Sequence, residues 1–104
     1  MAHVVWTDRA LNNLVEIAPH IAEGSPQYAI AFVGRIVSAA EPLAQFPRQG
    51  RVVPEFGDET LRELVFQNYR IVYRIDGDRI GIVAVGHGAM RLPADLQRPP
   101  WDLP

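Results

Sequence analysis

The hydrophobic positions in the first part of the chain follow the period of an α-helix after one short apolar run. Residues His3 to Trp6 (HVVW) have strand character. Thr7 is a typical helix N-cap, Asp8 suits the first turn, and apolar residues follow at helical spacing as far as Ile21. Pro19 interrupts this stripe and predicts a kink or a break, because proline removes a backbone hydrogen bond and clashes with the preceding turn.

A second helical stripe begins at Ser25, which is an N-cap residue followed by a first-turn proline, Pro26. Hydrophobic residues recur at helical spacing from Ala29 to Leu43, and Pro42 and Phe46-Pro47 close the element. The first half of the chain therefore predicts a strand followed by a helical hairpin.

The second half changes to the alternating period of β-strands. Residues 51–53 predict a short strand, and residues 61–66 and 69–75 alternate on either side of a Gln67-Asn68 turn. Asp76-Gly77 is a strong hairpin signal, and residues 79–86 (RIGIVAVG) predict the final strand.

This order of elements predicts an α+β fold (β-α-α-β-β-β) in which an N-terminal strand and a helical hairpin pack on a twisted antiparallel β-sheet. We expect one domain over residues 1–92. The proline-rich tail, residues 93–104, predicts an extended conformation.

The predicted turns assign a face of the sheet to each strand residue. With two residues in each turn, Tyr73 lies opposite Ile80 and Ile71 opposite Ile82, all on one apolar side that packs on the helical hairpin. Arg62 lies at the rim of this side, where its stem covers apolar surface.

The opposite side of the predicted sheet is charged. It holds Glu63, Arg70, Arg74, Arg79 and, by parity, His87. Two interpretations follow: a solvated face with ion pairs such as Glu63 with Arg74, or a concave surface that binds an anion or an acidic partner. A three-residue second turn would instead place His87 on the inner side.

The composition is that of an ordinary globular protein whose basic residues are arginine rather than lysine. The 104 residues suit one domain, 48% are hydrophobic and 21% charged, and cysteine is absent, which excludes disulfides and thiol nucleophiles. The formal charge of −2 argues against a protein that coats nucleic acid. Lysine is absent, so every side-chain cation other than histidine is arginine, the better residue for bidentate recognition of phosphate or carboxylate.

Several classes of protein are not indicated. No apolar run is long enough to span a membrane, and the first ten residues lack the pattern of a secretory signal, so we expect a cytoplasmic protein. No spacing of His, Asp and Glu suggests a metal site, and no cofactor is expected.

The ordered segments WTDRAL, SPQYA, LAQFPRQGRVVPEF, RELVFQNYRIVYRI and IVAVGHGAMRL resemble the RelE/ParE superfamily of bacterial toxins from type II toxin–antitoxin systems. The resemblance extends from about Val4 to Leu92. It implies a helical hairpin on a twisted sheet, a toxin that arrests growth, and a cognate antitoxin whose chain wraps around it. It also implies that promoter DNA is bound by the complex, mostly through the antitoxin.

One branch of this superfamily, RelE-like, cleaves mRNA on the ribosome without a metal, because the RNA 2′-OH is the nucleophile. In that branch the resemblance implies Glu55 as base, Arg70 as phosphate clamp, His87 as acid and Arg62 as a second clamp.

The other branch, ParE-like, inhibits DNA gyrase and has no catalytic residues. The near-neutral charge, the length and the HGAMRLP segment favour this branch, and no aromatic residue follows His87 until Trp101. In that branch His87 would be structural, and Arg70 would pair either with Glu63 or with carboxylates of the antitoxin. Arg70, Arg74 and Arg79 would then form a partner-binding surface. A third hypothesis is a non-toxic remnant that only binds an antitoxin.

Overall fold

The computed structural model describes residues 2–22, 25–88 and 91–97. Residues 98–104 of the predicted tail lie outside the described residues. The helices and strands, in chain order, are β1 (His3–Trp6), α1 (Asp8–Ala22), α2 (Pro26–Ala40), β2 (Arg51–Val52), β3 (Leu61–Phe66), β4 (Tyr69–Asp76) and β5 (Arg79–His87). Short 3-10 helices at Glu41–Ala44 and Ala94–Gln97 follow α2 and β5, so the described part of the tail is not extended.

The five strands form one sheet in the order β1-β5-β4-β3-β2. The α+β fold predicted from the sequence is confirmed, with one change. Strand β1 does not pack on the sheet but belongs to it, parallel to β5, so the sheet is mixed rather than purely antiparallel. Thr7 extends this pairing, because its backbone N–H and its hydroxyl both donate to the carbonyl of Ile82, at 3.1 and 2.8 Å.

Both predicted helix N-caps are present. The Thr7 hydroxyl accepts a hydrogen bond from the backbone N–H of Ala10, and the Ser25 hydroxyl accepts one from that of Tyr28. Helix α1 continues through Pro19 to Ala22, so the predicted break does not occur. No helix among the described residues is long and apolar enough to cross a membrane.

The main core lies between the helical hairpin and one face of the sheet, which we call the helix side. Phe32 and Ile36 of α2 and Leu14 of α1 meet Ile71 and Tyr73 of β4 there. This is the apolar side predicted from the alternation of β3 and β4.

The other face of the sheet, the far side, has an apolar cluster of its own. It consists of Val53, Leu61, Val72, Val83, Ala84, Leu92 and Leu96, with Phe56 packed against it. The far side is therefore not the solvated charged face that alternation predicts. The segment after β5 covers part of it through Leu92 and Leu96.

The pairing of β4 with β5 differs from the prediction. The turn falls at Gly77-Asp78 rather than Asp76-Gly77, so Tyr73 pairs with Ile82 rather than with Ile80. The register then shifts between Tyr73 and Val72, which pairs with Ala84. One extra β5 residue at this point forms a β-bulge, and the sequence contains no clear signal for it.

The bulge changes the side of every β5 residue beyond it. Ile71 now pairs with Val85 rather than with Ile82, and Tyr69 pairs with His87, so His87 lies on the helix side. The parity prediction of the far side for His87 is wrong for this reason.

Helix α1 provides a hydrogen-bond acceptor for β5 at a position that β1 does not reach. Strand β1 pairs with β5 only as far as Ile82. Further along β5, the backbone N–H of Val85 donates a hydrogen bond to the side-chain amide oxygen of Asn13, with 3.0 Å between nitrogen and oxygen. A helix side chain thus takes the place of a strand at the part of β5 that β1 does not cover.

Candidate functional site

Three neighbouring strands and one turn bring two arginines and two glutamates together on the far side. Arg51 of β2 pairs in register with Glu63 of β3, and Arg70 lies on the adjacent strand β4. Glu55 is in the turn that follows β2. We call these four residues the arginine–glutamate cluster.

Arg70 is the centre of this cluster, and each of its three guanidinium nitrogens donates to a carboxylate in it. Its Nε donates to Glu63 at 2.5 Å, and its Nη1 and Nη2 donate to the two oxygens of Glu55 at 2.6 and 2.9 Å. Only 7% of the Arg70 side chain is exposed. The two-pronged contact with Glu55 is the geometry in which a guanidinium binds a carboxylate most strongly.

Glu63 is the inner carboxylate of the cluster, and its side chain has no exposed surface. One oxygen accepts from Arg70 and the other from Arg51 Nε at 2.6 Å. A buried carboxylate is tolerated only when it is paired and hydrogen-bonded in this way. The cluster contains two positive and two negative side chains, so its net charge is zero.

The pairing shifts the pKa values of Glu55 and Arg70 in opposite directions. The hydrogen bonds from Arg70 lower the pKa of Glu55, although partial burial opposes the shift. The hydrogen bonds to Glu55 and then to Glu63 raise the pKa of Arg70 further above its already high value. Glu55 is therefore a weaker base than a free glutamate.

A cavity of about 370 Å³ opens beside the cluster at the β3–β4 turn. It is lined by Arg51, Glu55, Val65, Gln67, Asn68, Arg70, His87 and Gly88. Three of the four residues that the resemblance implies for RNA cleavage, Glu55, Arg70 and His87, therefore border one cavity.

His87 belongs to the edge of this cavity rather than to the cluster. Its ring stands edge-on to Tyr69, with 6.2 Å between the centroids, and Tyr69 in turn packs on Phe32 of α2 at 5.6 Å. The next residue, Gly88, donates its N–H to the carbonyl of Asn68 at 2.7 Å, which ties the end of β5 to the turn.

Arg62, the fourth residue implied for RNA cleavage, lies elsewhere. It pairs with Tyr73 in the sheet, as predicted. Its Nε donates to the carbonyl of Glu59 and its Nη1 to the carbonyl of Gly50, both at 2.9 Å. The structure therefore does not bring Arg62 together with Arg70.

The other two arginines of the predicted partner-binding surface are also paired within the chain. Arg74 contacts Asp58 at 3.4 Å and Arg79 contacts Asp76 at 3.5 Å. Glu63 pairs with Arg51 and Arg70, so the suggested Glu63–Arg74 pair is wrong.

Sequence reasoning missed three members of these ion pairs, Arg51, Asp58 and Asp76, the last of which was assigned only to a turn. Eight residues, 53–60, separate β2 from β3, and a connection of this length does not fix the strand register. Asp58 had a local signal that was overlooked: it accepts hydrogen bonds from the N–H and hydroxyl of Thr60, two residues on, as aspartates in turns commonly do.

The described ranges 2–22, 25–88 and 91–97 contain no group of three His, Cys, Asp or Glu side chains placed to hold a metal ion. The side chains around the cavity are those of an ion-pair network and a polar turn. Their chemistry is hydrogen bonding and charge pairing.

Comparisons with known proteins agree on one family. A sequence model described as the ParE toxin of the parDE type II toxin–antitoxin system matches residues 4–92. A protein named Toxin RelE2, from Caulobacter vibrioides, is 40% identical over 90 residues, which cover 86% of this chain and 98% of the relative. A protein named Putative toxin Y4kP, from Sinorhizobium fredii, is 38% identical over 96 residues, with 88% and 93% covered.

A solved structure gives the same answer for the fold. A chain described as belonging to a chromosomal ParDE toxin–antitoxin system from P. aeruginosa superposes with a TM-score of 0.71. It is 27% identical, and the match covers 84% of this chain and 96% of that one. The family model spans most of the chain, from the first strand to the residues after the last one, and the chain therefore belongs to the ParE toxin family of type II toxin–antitoxin systems.

Proposed function

We propose that this toxin acts in the cytoplasm by inhibiting DNA gyrase, without cutting nucleic acid, until its cognate antitoxin neutralises it. Promoter DNA is bound only through the toxin–antitoxin complex. The observation that favours gyrase inhibition over RNA cleavage is the occupation of Arg70, because all three of its guanidinium nitrogens donate to carboxylates of its own chain.

A phosphate clamp requires a guanidinium that is available to the substrate. An RNA phosphate would have to displace Glu55 from the two Nη atoms of Arg70, whose side chain is only 7% exposed and also holds the completely buried Glu63. Turning Arg70 away from Glu63 toward a substrate would leave the buried Glu63 with one partner fewer, and an uncompensated buried charge costs several kcal/mol. The cluster also has no net positive charge with which to attract a polyanion.

The remaining catalytic roles are also poorly supported. Glu55 is a weakened general base, because both of its oxygens accept hydrogen bonds from Arg70 and its pKa is lowered. His87 stands against Tyr69 on the helix side of the sheet. The geometry is that of a structural ion-pair network.

A ribosome-dependent endoribonuclease is the second candidate. It is favoured by the shared cavity of Glu55, Arg70 and His87, and by the name of the relative Toxin RelE2. In this mechanism Glu55 would swing away from Arg70 when RNA binds. The third hypothesis, a non-toxic remnant that only binds antitoxin, is tested by the same experiment.

The test combines two measurements on the toxin without its antitoxin. Purified toxin is added to a gyrase supercoiling assay, and 5′-end RNA sequencing follows induction of the toxin in a bacterial host. We expect loss of supercoiling and a DNA-damage response, without new 5′ ends inside coding regions. Abundant new ends with unaffected gyrase would overturn the proposal in favour of RNA cleavage, and normal growth with neither signal would favour the remnant.

Two exposed residues separate the mechanisms further. Glu55→Ala and His87→Ala should arrest growth as well as the unmodified chain, because a gyrase inhibitor does not use them as acid and base. Val65→Ala, at another exposed residue of the cavity, is the matched control. Toxicity lost in Glu55→Ala and His87→Ala but retained in Val65→Ala, with unchanged circular dichroism, contradicts the proposal.

A further inference from the structure

An apolar groove of about 840 Å³ lies on the helix side of the sheet, away from the arginine–glutamate cluster. Its lining residues are Pro42, Phe46, Pro47, Arg48, Gln49 and Ile75. Ile75 ends the helix-side core on β4, and the other five belong to the segment between α2 and β2. Its volume is in the range of pockets that hold bulky ligands.

Tyr73 holds the wall of this groove in place. Its buried hydroxyl donates to the carbonyl of Pro47 at 2.7 Å and accepts the N–H of Gly50 at 2.9 Å. Arg62 adds a third hydrogen bond, to the carbonyl of Gly50. These three hydrogen bonds hold the segment from Pro47 to Gly50 in place without a ligand. Binding in the groove therefore does not cost the conformational entropy of ordering this segment.

Phe46 is exposed beside this fixed wall. Its side chain lines the groove together with Pro42 and Pro47, and 61% of the residue is accessible to solvent. A phenylalanine with this exposure, next to further apolar surface, is typical of an interaction site rather than of an isolated surface residue.

The charge at the groove differs from that of the far side. Arg51, Arg70, Arg74 and Arg79 all pair with carboxylates of the chain. Arg48 is exposed and has no carboxylate partner within the described part of the chain.

Arg62 adds a second positive charge near this loop. Its guanidinium donates to the backbone carbonyls of Glu59 and Gly50, and these neutral acceptors do not neutralise its charge. Burial raises the pKa of Tyr73, and the positive charges of Arg62 and Arg48 oppose that shift. Both arginines are therefore close enough to the Tyr73 hydroxyl at the groove wall to influence its ionisation. The groove thus combines apolar surface with positive charge at its rim.

We propose that the groove binds a segment of the antitoxin in which a bulky apolar side chain is flanked by carboxylates. The apolar side chain would pack on Phe46, Pro47 and Ile75, and a carboxylate would pair with Arg48. An acidic linear segment matches both the shape and the charge of this surface. This inference uses the antitoxin partner that family membership supplies, and it does not depend on whether the target is gyrase or mRNA.

The first test measures the affinity of the full toxin for its purified cognate antitoxin by isothermal titration calorimetry. Phe46→Ala and Arg48→Glu should each weaken binding about tenfold or more. Val65→Ala is the apolar control, at 62% exposure on the far side, and Arg35→Glu on α2 makes the same charge change at another exposed arginine. Both controls should bind within about twofold of the unmodified toxin.

Photo-crosslinking identifies the occupant directly. A p-benzoylphenylalanine in place of Phe46 should crosslink to an antitoxin segment that contains acidic residues, and the same group at Val65 should not. Unchanged affinity in both Phe46→Ala and Arg48→Glu overturns the proposal. The proposal is also overturned if Phe46→Ala and Arg48→Glu bind the antitoxin normally but no longer inhibit gyrase, because the groove would then be a binding site for the target. The gyrase assay on toxin alone tests the proposed function separately from this site.

Discussion

Gly50 shows how closely single residues are constrained around the Tyr73 hydroxyl. A Cβ at this position would lie 2.5 Å from the carbonyl oxygen of Glu63 and 2.7 Å from the Tyr73 hydroxyl oxygen. Both are closer than non-bonded atoms approach, and the first belongs to the backbone of β3, which cannot move aside independently. Glycine is required here by space rather than by backbone conformation.

We therefore expect Gly50→Ala to reduce the free energy of unfolding by about 1–3 kcal/mol or more. Gly34→Ala is the matched control, because Gly34 lies within α2 with no atom within 4 Å of the new methyl group. Alanine is the better helix former, so this change should stabilise the protein by about 0.5–1 kcal/mol. Urea denaturation measures both, and equal effects in the two variants would contradict the steric argument.

Glu55 and Asp58 link stability to pH. Hydrogen bonds from Arg70 lower the pKa of Glu55, and hydrogen bonds from the Thr60 hydroxyl and N–H lower that of Asp58. A carboxyl with a lowered folded-state pKa contributes stability above its unfolded-state pKa, about 4 for these groups, and loses it as the pH falls through the folded value.

Stability should therefore change little between pH 7 and pH 5 on account of these two groups, and should fall below about pH 4. Glu55→Gln should lessen this fall, because one of the groups that binds a proton on unfolding is gone. Glu16→Gln, at an exposed residue of α1, serves as the control. Thermal unfolding from pH 7 to pH 2.5 makes the comparison, and identical acid profiles for the two variants would argue against the assignment.

At the scale of elements, the link between α1 and β5 depends on Asn13. Its side-chain oxygen is the acceptor for the Val85 N–H beyond the end of β1. Asn13→Ala should leave this N–H without its partner and cost about 1–3 kcal/mol. Asn12→Ala, at the exposed neighbour on the same helix, should have little effect.

Hydrogen exchange provides a local measurement of the same contact. The Val85 amide should exchange faster in Asn13→Ala than in Asn12→Ala, under conditions where exchange occurs from local opening. Equal protection of this amide in both variants would show that Asn13 does not support the strand edge.

Sequence patterns predicted the elements well and their relations less well. Helical spacing and the caps at Thr7 and Ser25 locate both helices, because periodicity and capping are local properties. The bulge near Val83 is not local, since it depends on how β5 fits between β1, β4 and α1. This one residue is the reason that the side of His87 was predicted wrongly.

The candidate site was predictable only in part, for a similar reason. Parity along β3 and β4 correctly places Glu63 and Arg70 on the same face. It does not reveal that Arg51 and Glu55 complete their charge pairing, because the register of β2 on β3 and the turn after β2 place them there. Of the two interpretations of this face, ion pairing is the one that the folded chain shows for Arg70, with Glu63 and Glu55 as its partners.

On the scale of the whole molecule, the sheet is covered on both faces. The helical hairpin covers the helix side, and the segment that follows β5 contributes Leu92 and Leu96 to the far side. Residues after position 92, which the sequence assigned to a tail, thus include one that is buried against the sheet.

Leu96→Ala should lower the free energy of unfolding by about 2–5 kcal/mol, the usual cost of removing a buried leucine side chain. Leu11→Ala, at a half-exposed leucine of α1, should cost about 1 kcal/mol or less. Denaturation of the full-length variants measures the difference. An equally small effect at Leu96 would mean that residues 1–92 hold the fold without this contact.

The parallel pairing of β1 with β5 has a consequence for the order of events during synthesis. Thr7 and Ile82 are hydrogen-bonded to each other but lie 75 residues apart in the chain. Strand β1 therefore cannot pair with β5, its neighbour in the sheet, until almost the whole domain has left the ribosome. Contacts of such long range form slowly. The sheet of the toxin therefore cannot be completed while the chain is still being synthesised up to β5. During this interval the cell that makes the protein contains no folded toxin from that chain.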